Sequence, residues 1–267
     1  MIETFEAIDV KLRCEGLTVS YPADGASRPV LDGISLEVKS SEFVTILGPS
    51  GCGKTTFLRA ISGAIRPSGG RIELIRTAPD ESMQPLLVRQ EHALFPWLTA
   101  LENACFGLTM QKVPKSVREE KALALFERYG LSGRQNAYPD HLSLGMKQRV
   151  ALIRGFLSDP PLLLMDEPFA ALDAQSRLML QQDLIALWEE REHVGVIFVT
   201  HDVEEAILLS DRIVILSHLP ASIVAEIAIP LPRPRTPAIT LEPAFIDLKR
   251  RILKYLGVSI EVVPQHV

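Results

Sequence analysis

The run Gly48-Pro49-Ser50-Gly51-Cys52-Gly53-Lys54-Thr55 fits G-x-x-x-x-G-K-[ST], and it limits the possible folds more than any other feature of the chain. It follows the apolar run Phe43–Leu47 and precedes Thr56–Ile61, which reads as a helix. A strand, a glycine-rich loop and a helix in that order form a phosphate-binding loop. The glycines let the backbone wrap until several N–H groups point inward, and the helix adds the positive end of its dipole. In such a loop Lys54 reaches the β- and γ-phosphates, and the Thr55 hydroxyl ligates Mg²⁺. Thr56 joins the nucleotide-binding set. The competing reading is a chance glycine-rich turn; the Lys-Thr pair and both flanks count against it.

A chain of 267 residues has room for one large α/β domain or two small ones. Hydrophobic content of 47% and charged content of 23% are ordinary for a soluble globular protein. The net charge of −5 argues against a general nucleic-acid binder. The N-terminus shows no basic region followed by an apolar core, so no secretory signal is expected, and apolar runs such as Val194–Val199 are too short to span a bilayer. Cys14, Cys52 and Cys105 are odd in number and widely spaced, which fits a reducing cytoplasm rather than a disulfide framework or a zinc site.

Residues 11–47 read as strands and turns: Leu12, Cys14, Leu17 and Val19 share one spacing, and Ile34, Leu36 and Val38 alternate with Ser35, Glu37 and Lys39. Pro67-Ser68-Gly69-Gly70 ends the helix after the loop, and Leu86-Leu87-Val88 is a short strand. The stretch Thr99–Tyr129 reads as mainly helical, with Gly130 as its stop. Leu162–Met165 ends in Asp166-Glu167, and Val196–Val199 ends in Thr200-His201-Asp202. Continuous apolar strands closing on polar residues predict a parallel sheet buried on both faces, with ligands at the strand ends. Lys54, Asp166 and His201 are expected to converge there. Arg212–Leu216 and Ile223–Ile229 read as strands, Leu231-Pro232-Arg233-Pro234-Arg235 as a linker, and Ala244–Leu256 as a terminal helix with Ile246, Leu248, Ile252, Leu253 and Leu256 on or near one face.

Asp166 after its strand is placed to hold Mg²⁺ through water, and Glu167 to polarise an attacking water. Taken alone, Asp-Glu-Pro can also simply open a turn. His201 at a third strand end is a candidate γ-phosphate contact, although a lone histidine is more often structural.

These residues, together with Leu142-Ser143-Leu144-Gly145-Met146-Lys147-Gln148-Arg149, resemble the nucleotide-binding subunit of an ABC transporter over nearly the whole chain. The resemblance identifies that run as the family's signature motif, Ala171-Leu172-Asp173 as its D-loop, His201 as its switch histidine, Gln90 as its Q-loop glutamine and Tyr21 as the ring that stacks on adenine. It implies a head-to-tail dimer with two ATPs at the interface. The phosphate loop of one subunit, Gly48 to Thr56, then faces Ser143 and Gly145 of the other, with Asp173 alongside and Gln90 joining Thr55 and Asp166 at Mg²⁺. The implied fold is an α/β phosphate-loop NTPase with a mostly parallel core sheet, an antiparallel β subdomain and an inserted helical subdomain. Residues 1–90 and 150–216 form the core, 91–149 the helical part and 217–267 a C-terminal extension.

The resemblance also implies partners: transmembrane permease subunits, a second ATP-binding subunit forming a homodimer, and indirectly a substrate-binding protein, with the chain peripheral on the cytoplasmic face of the inner membrane. Gln90–Thr99 and Leu231–Arg235 are similar to importers of nitrate, taurine and aliphatic sulfonates. Phe95 and Trp97 read either as an exposed interface pair or as core. Leu144 stands where the family usually has Gly. It is strained if that position needs positive φ and tolerated if it points outward from a first helical turn. A nucleotide-gated module with little or no hydrolysis is the alternative that Leu144 raises. A soluble repair or translation ATPase lacks support because no coiled-coil insertion or second nucleotide domain is visible, and a kinase or GTPase lacks the signature motif.

Overall fold

A computed structural model describes residues 10–23, 26–75, 84–89, 93–191 and 193–258. In chain order the elements are strands β1 (Val10–Ala23), β2 (Ala26–Lys39) and β3 (Phe43–Leu47), helix α1 (Lys54–Ile61), and strands β4 (Gly69–Leu74) and β5 (Leu86–Val88). Helices α2 (Ala100–Ala104), α3 (Phe106–Met110), α4 (Lys115–Arg128) and α5 (Leu144–Leu157) follow, then β6 (Leu162–Asp166), α6 (Ala174–Glu189) and β7 (Gly195–Val199). The chain closes with α7 (Val203–Leu209), β8 (Arg212–Leu216), β9 (Ile223–Ala228) and α8 (Pro243–Tyr255).

The chain divides into two compact units. One comprises Met1–Lys11, Val38–Ser41 and Ile75–Val196; the other comprises Leu12–Glu37, Glu42–Leu74 and Ile197–Val267. In the second unit β3 pairs parallel with β8, and β8 pairs antiparallel with β9. Every residue of β3 is buried, Thr45 included, so this mostly apolar strand is covered on both faces. A separate three-stranded sheet has the order β2-β1-β4, with β1 and β4 antiparallel. Its β2 shows the expected period: Ile34, Leu36 and Val38 are buried and Ser35, Glu37 and Lys39 exposed. Gly70, with φ +79°, lies so close to β1 that a Cβ there would stand 2.3 Å from the Gly16 carbonyl oxygen.

In the first unit β5 pairs parallel with β6. The helical stretch breaks into α2, α3 and α4. Thr99 starts α2 through a reciprocal capping box with Glu102. Gly130, at φ +70°, ends α4 in a Schellman arrangement in which the Leu131 N–H donates to the Phe126 carbonyl at 2.7 Å. Asn103 is fully buried and holds the preceding turn. Its Oδ1 accepts from the Phe95 N–H at 2.8 Å, and its Nδ2 donates to the Phe95, Leu98 and Thr99 carbonyls at 3.0–3.1 Å. The two aromatic rings of that turn lie 5.5 Å apart between centroids but differ in exposure. Phe95 is half-buried, 4.4 Å from Phe106 between ring centroids and beneath the Arg154 guanidinium, whereas Trp97 is 70% exposed.

The terminal helix α8 forms as expected, but its inner face is Phe245, Leu248 and Ile252; Ile246 is exposed. The spacing 245, 248, 252 is one helical stripe, and Ile246 lies about 100° round the helix from Phe245.

Candidate active site

In the unit that carries the phosphate loop, β3 is followed by Gly48, which is buried, then by Pro49, Ser50 and Gly51, with Ser50 and Gly51 exposed at the crown. A Cβ on Gly48 would stand 2.8 Å from Cys52 Sγ and 3.2 Å from Leu216, so the floor of the loop admits only glycine. Gly53 is the N-cap of α1 at φ +111°, and a Cβ there would meet Leu31 and Val30 at 3.0 Å. Gly53, the cap residue of α1, offers no side-chain acceptor. A helix gives its first N–H groups no intrahelical acceptor, and a glycine cap adds no acidic side chain of its own, which suits the start of α1 to an anion. Lys54 is buried, and its Nζ donates to the Gly48 and Pro49 carbonyls at 2.9 and 3.1 Å. Thr55 is exposed and Thr56 half-buried on the first turn. Cys52 faces inward, and burial pushes its thiol upward against the opposing pull of Lys54.

The same unit carries His201. The Thr200 N–H donates to the Ile46 carbonyl at 3.4 Å, so the end of β7 lies beside the strand that feeds the loop. His201 is exposed and directly precedes Asp202, whose Oδ1 caps α7 through the Glu204 and Glu205 N–H groups at 2.9 and 3.2 Å. Tyr21, 39% exposed, stands near the end of β1.

The other unit carries the acidic residues. Asp166 ends β6 and Glu167 follows, both half-buried. Glu167 has φ +45°, which for a non-glycine residue costs about 1–2 kcal/mol. Its carbonyl accepts from the Ala170 N–H at 3.3 Å, and Phe169 is buried within that turn. Asp173 N-caps α6, and the Ser176 N–H at 2.9 Å holds its carboxyl below the usual range. Ser143 N-caps α5 by accepting from the Met146 N–H at 3.3 Å, and Gly145 has open space where a Cβ would stand.

Leu144 is the first residue of α5, is absent from the positive-φ residues, and is 42% exposed. The strained alternative for this position does not hold. Gln90 lies outside the described residues. Among the described residues no group of three or more His, Cys, Asp or Glu is placed to hold a metal ion. Also among them, no helix is long and apolar enough to cross a membrane.

The comparisons with known proteins agree with this chemistry. The family profile described as ABC transporter matches residues 31–170. An uncharacterized ABC transporter ATP-binding protein of Methanocaldococcus jannaschii is 43% identical over 252 residues, 94% of this chain and 93% of that protein. An aliphatic sulfonates import ATP-binding protein of Paraburkholderia xenovorans is 47% identical over 193 residues, 71% of this chain and 72% of that protein. A bicarbonate transport ATP-binding protein of Synechococcus elongatus is 41% identical over 254 residues, 91% of this chain but 37% of that longer protein. Among solved structures, a dimeric bacterial ABC transporter cassette has a TM-score of 0.71 at 31% identity, covering 82% of this chain and 98% of that one. The same cassette, bound to ADP and Pi after hydrolysis, gives 0.70 at 29% identity over the same shares. The chain belongs to the ABC transporter family, as an ATP-binding cassette ATPase.

Proposed function

We propose that the chain hydrolyses ATP to power a membrane importer, working as a homodimer docked on permease subunits at the cytoplasmic face of the inner membrane and served indirectly by a substrate-binding protein. The observation that carries the nucleotide reading is the uncapped start of α1 around the buried Lys54 ammonium. It is a cradle of N–H donors plus one cation, matched to a polyphosphate. On this reading the loop from Gly48 to Thr56 binds the phosphates and Tyr21 the adenine. Glu167 positions the attacking water, and His201 contacts the γ-phosphate. Ser143, Gly145 and Asp173 act on the nucleotide held by the partner copy. Donors fixed in advance where charge develops are the main source of rate in phosphoryl transfer.

Magnesium fits this chain's donors. Thr55 offers a hydroxyl and Asp166 a carboxylate, both hard oxygens, with Gln90 as the third candidate. Mg²⁺ keeps several waters and takes few protein ligands beside substrate phosphates, so a cluster of acids is not required. When bound, it neutralises charge on the β- and γ-phosphates.

The cargo class we propose is an oxyanion of the nitrate, taurine or aliphatic sulfonate group. Its support is the similarity of Gln90–Thr99 and Leu231–Arg235 to importers of that group and the name of the 47% identical relative. A relative named for bicarbonate shows how much cargo varies around this ATPase. The exposed Trp97, beside the clamped Phe95–Thr99 turn, is the proposed anchor for the permease. Lys54→Ala is expected to abolish ATP turnover, and turnover near the wild-type rate would sink the site assignment. Glu167→Gln is expected to keep ATP binding and lose hydrolysis.

A further inference from the structure

The segment Leu231–Arg235 behaves as more than a linker. A helix leaves its last four carbonyls without partners, and α7, at seven residues, is too short to persist on its own. At its end the Ser210 N–H and hydroxyl both return to the Ala206 carbonyl. The Arg235 Nη1 donates to the Ile207 and Leu208 carbonyls at 2.8 and 3.4 Å, and to that of Ser210. The Arg233 Nη2 donates to the Leu209 carbonyl at 2.6 Å. Every carbonyl from Ala206 to Ser210 is thereby satisfied, and two guanidiniums sit at the negative end of the helix dipole.

The anchorage continues into the strand under the phosphate loop. Arg233 Nε and Nη2 also donate to Asp211 Oδ1 at 3.1 and 2.9 Å, while Asp211 Oδ2 accepts from the Phe43 N–H at 2.9 Å at the start of β3. Arg235 reaches back to the Ile229 and Leu231 carbonyls as well. At the opposite end of α7, Lys249 of α8 pairs with Glu204 in the first turn. Burial and the neighbouring Arg233 charge push the Arg235 guanidinium down to about 10, so it remains a cation near neutral pH.

We propose that Arg233 and Arg235 are positioning residues for ATP hydrolysis: by fixing the end of α7 against β3 they set the place of His201, which directly precedes the Asp202 cap of that helix. The C-terminal segment is then part of the hydrolytic machinery. The inference rests on the role of His201 proposed above.

The test is a double-mutant cycle on the full chain, with steady-state ATP hydrolysis and the affinity of a fluorescent ATP analogue as readouts. Arg235→Ala is expected to lower kcat about tenfold with the analogue affinity held within about twofold. Added to His201→Ala, it is expected to lower the residual rate no further. A cap that only supports the fold predicts equal fold-losses in both backgrounds, and that result overturns the proposal. If Arg235→Ala does not fold, Arg233→Ala and Arg235→Lys replace it. A lysine supplies one point donor for a fork, so an intermediate kcat is expected. In the same variants the His201 imidazole proton resonance, assigned by its loss in His201→Ala, is expected to shift. Unshifted resonance with wild-type kcat in both folded variants overturns the proposal. A wild-type chain without turnover, or a His201→Ala chain at full rate, refutes the underlying site reading and this inference with it. Wild-type turnover with additive losses refutes the inference alone.

Discussion

Leu144→Gly restores the residue usual in the family, and the structure predicts that it destabilises the protein. A leucine forced into a backbone region made for glycine would gain stability on that change, by about 1–2 kcal/mol. Here Leu144 opens α5, has no positive φ, and keeps more than half its surface covered, with 42% exposed. Full burial of a leucine side chain is worth about 1.5–3 kcal/mol, so partial cover is worth about 1 kcal/mol. Glycine in a helix adds a backbone-entropy cost of about 0.5–1 kcal/mol. Both contributions have the same sign, and together they predict a loss of about 1.5–2 kcal/mol. The assay is urea unfolding of the two forms in a Glu167→Gln background, followed by far-UV circular dichroism. A Gly form as stable as the Leu form, or more so, refutes the reasoning. The same pair tests function by light scattering, since ATP is expected to dimerise both forms with affinities within about threefold, under 1 kcal/mol. Dimerisation of the Gly form alone would mean that the exposed leucine obstructs the partner subunit.

The remaining predictions concern the loop, the turn and a thiol. Gly53→Ala places a Cβ 3.0 Å from Leu31 and Val30 at φ +111°, so nucleotide affinity by calorimetry should fall at least about tenfold; unchanged affinity would show the loop can relax. Asn103→Ala removes the acceptor of the Phe95 N–H and the side-chain donor to three turn carbonyls, of which those of Phe95 and Thr99 keep a backbone partner, and should cost about 2–3 kcal/mol in urea unfolding; a loss below about 0.5 kcal/mol would show that the clamp contributes nothing. Burial pushes the Cys14 thiol from 9.0 up to about 12, so the folded state keeps a proton that the unfolded state releases. Its stabilisation is complete below pH 9 and is lost at about 1.4 kcal/mol per pH unit from pH 9 towards 12. Wild type should therefore lose stability with rising pH more steeply than Cys14→Ala, and parallel slopes would contradict the burial argument.

What could be read in the sequence is chemistry carried by neighbours in the chain. The phosphate loop, the alternation of β2 and the Gly130 stop each follow from a few adjacent residues, and each is found where it was expected. Side chains that act at long range in the chain could not be read. Nothing near Arg235 says that its fork meets carbonyls some 25 residues earlier, at Ser210 and Ile207. Composition made Leu231–Arg235 a linker because prolines cannot donate to a sheet; the backbone is irregular as expected, but the guanidiniums are fixed. The inner face of α8 was misread at Ile246 because an apolar helix pattern with several candidates does not fix its own rotation. Phe95 and Trp97 were ambiguous for a related reason. They are two residues apart in a turn that Asn103 clamps from eight residues further on, with rings in contact but only Phe95 covered by Phe106 and Arg154.

The three helices that follow the motif-bearing strands differ in one respect that assigns their chemistry. After β6, α6 is capped by the Asp173 carboxylate, and after β7, α7 is capped by that of Asp202. After β3, α1 has Gly53 at its cap and no side-chain acceptor. A capping aspartate satisfies the first-turn N–H groups and places negative charge at the positive end of the dipole, which removes both reasons for a phosphate to bind there. Of the three, only α1 has a cap residue with no carboxylate, and it is the one whose first residue is a buried lysine. Glycine at position 53 thus does two things. It adopts φ +111° beneath Val30 and Leu31, and it brings no carboxylate of its own to the helix start. The same backbone plan, a strand turning into a helix, carries a glycine cap that suits the proposed phosphate site in one place and aspartate caps in two others, and the difference lies in a single cap residue.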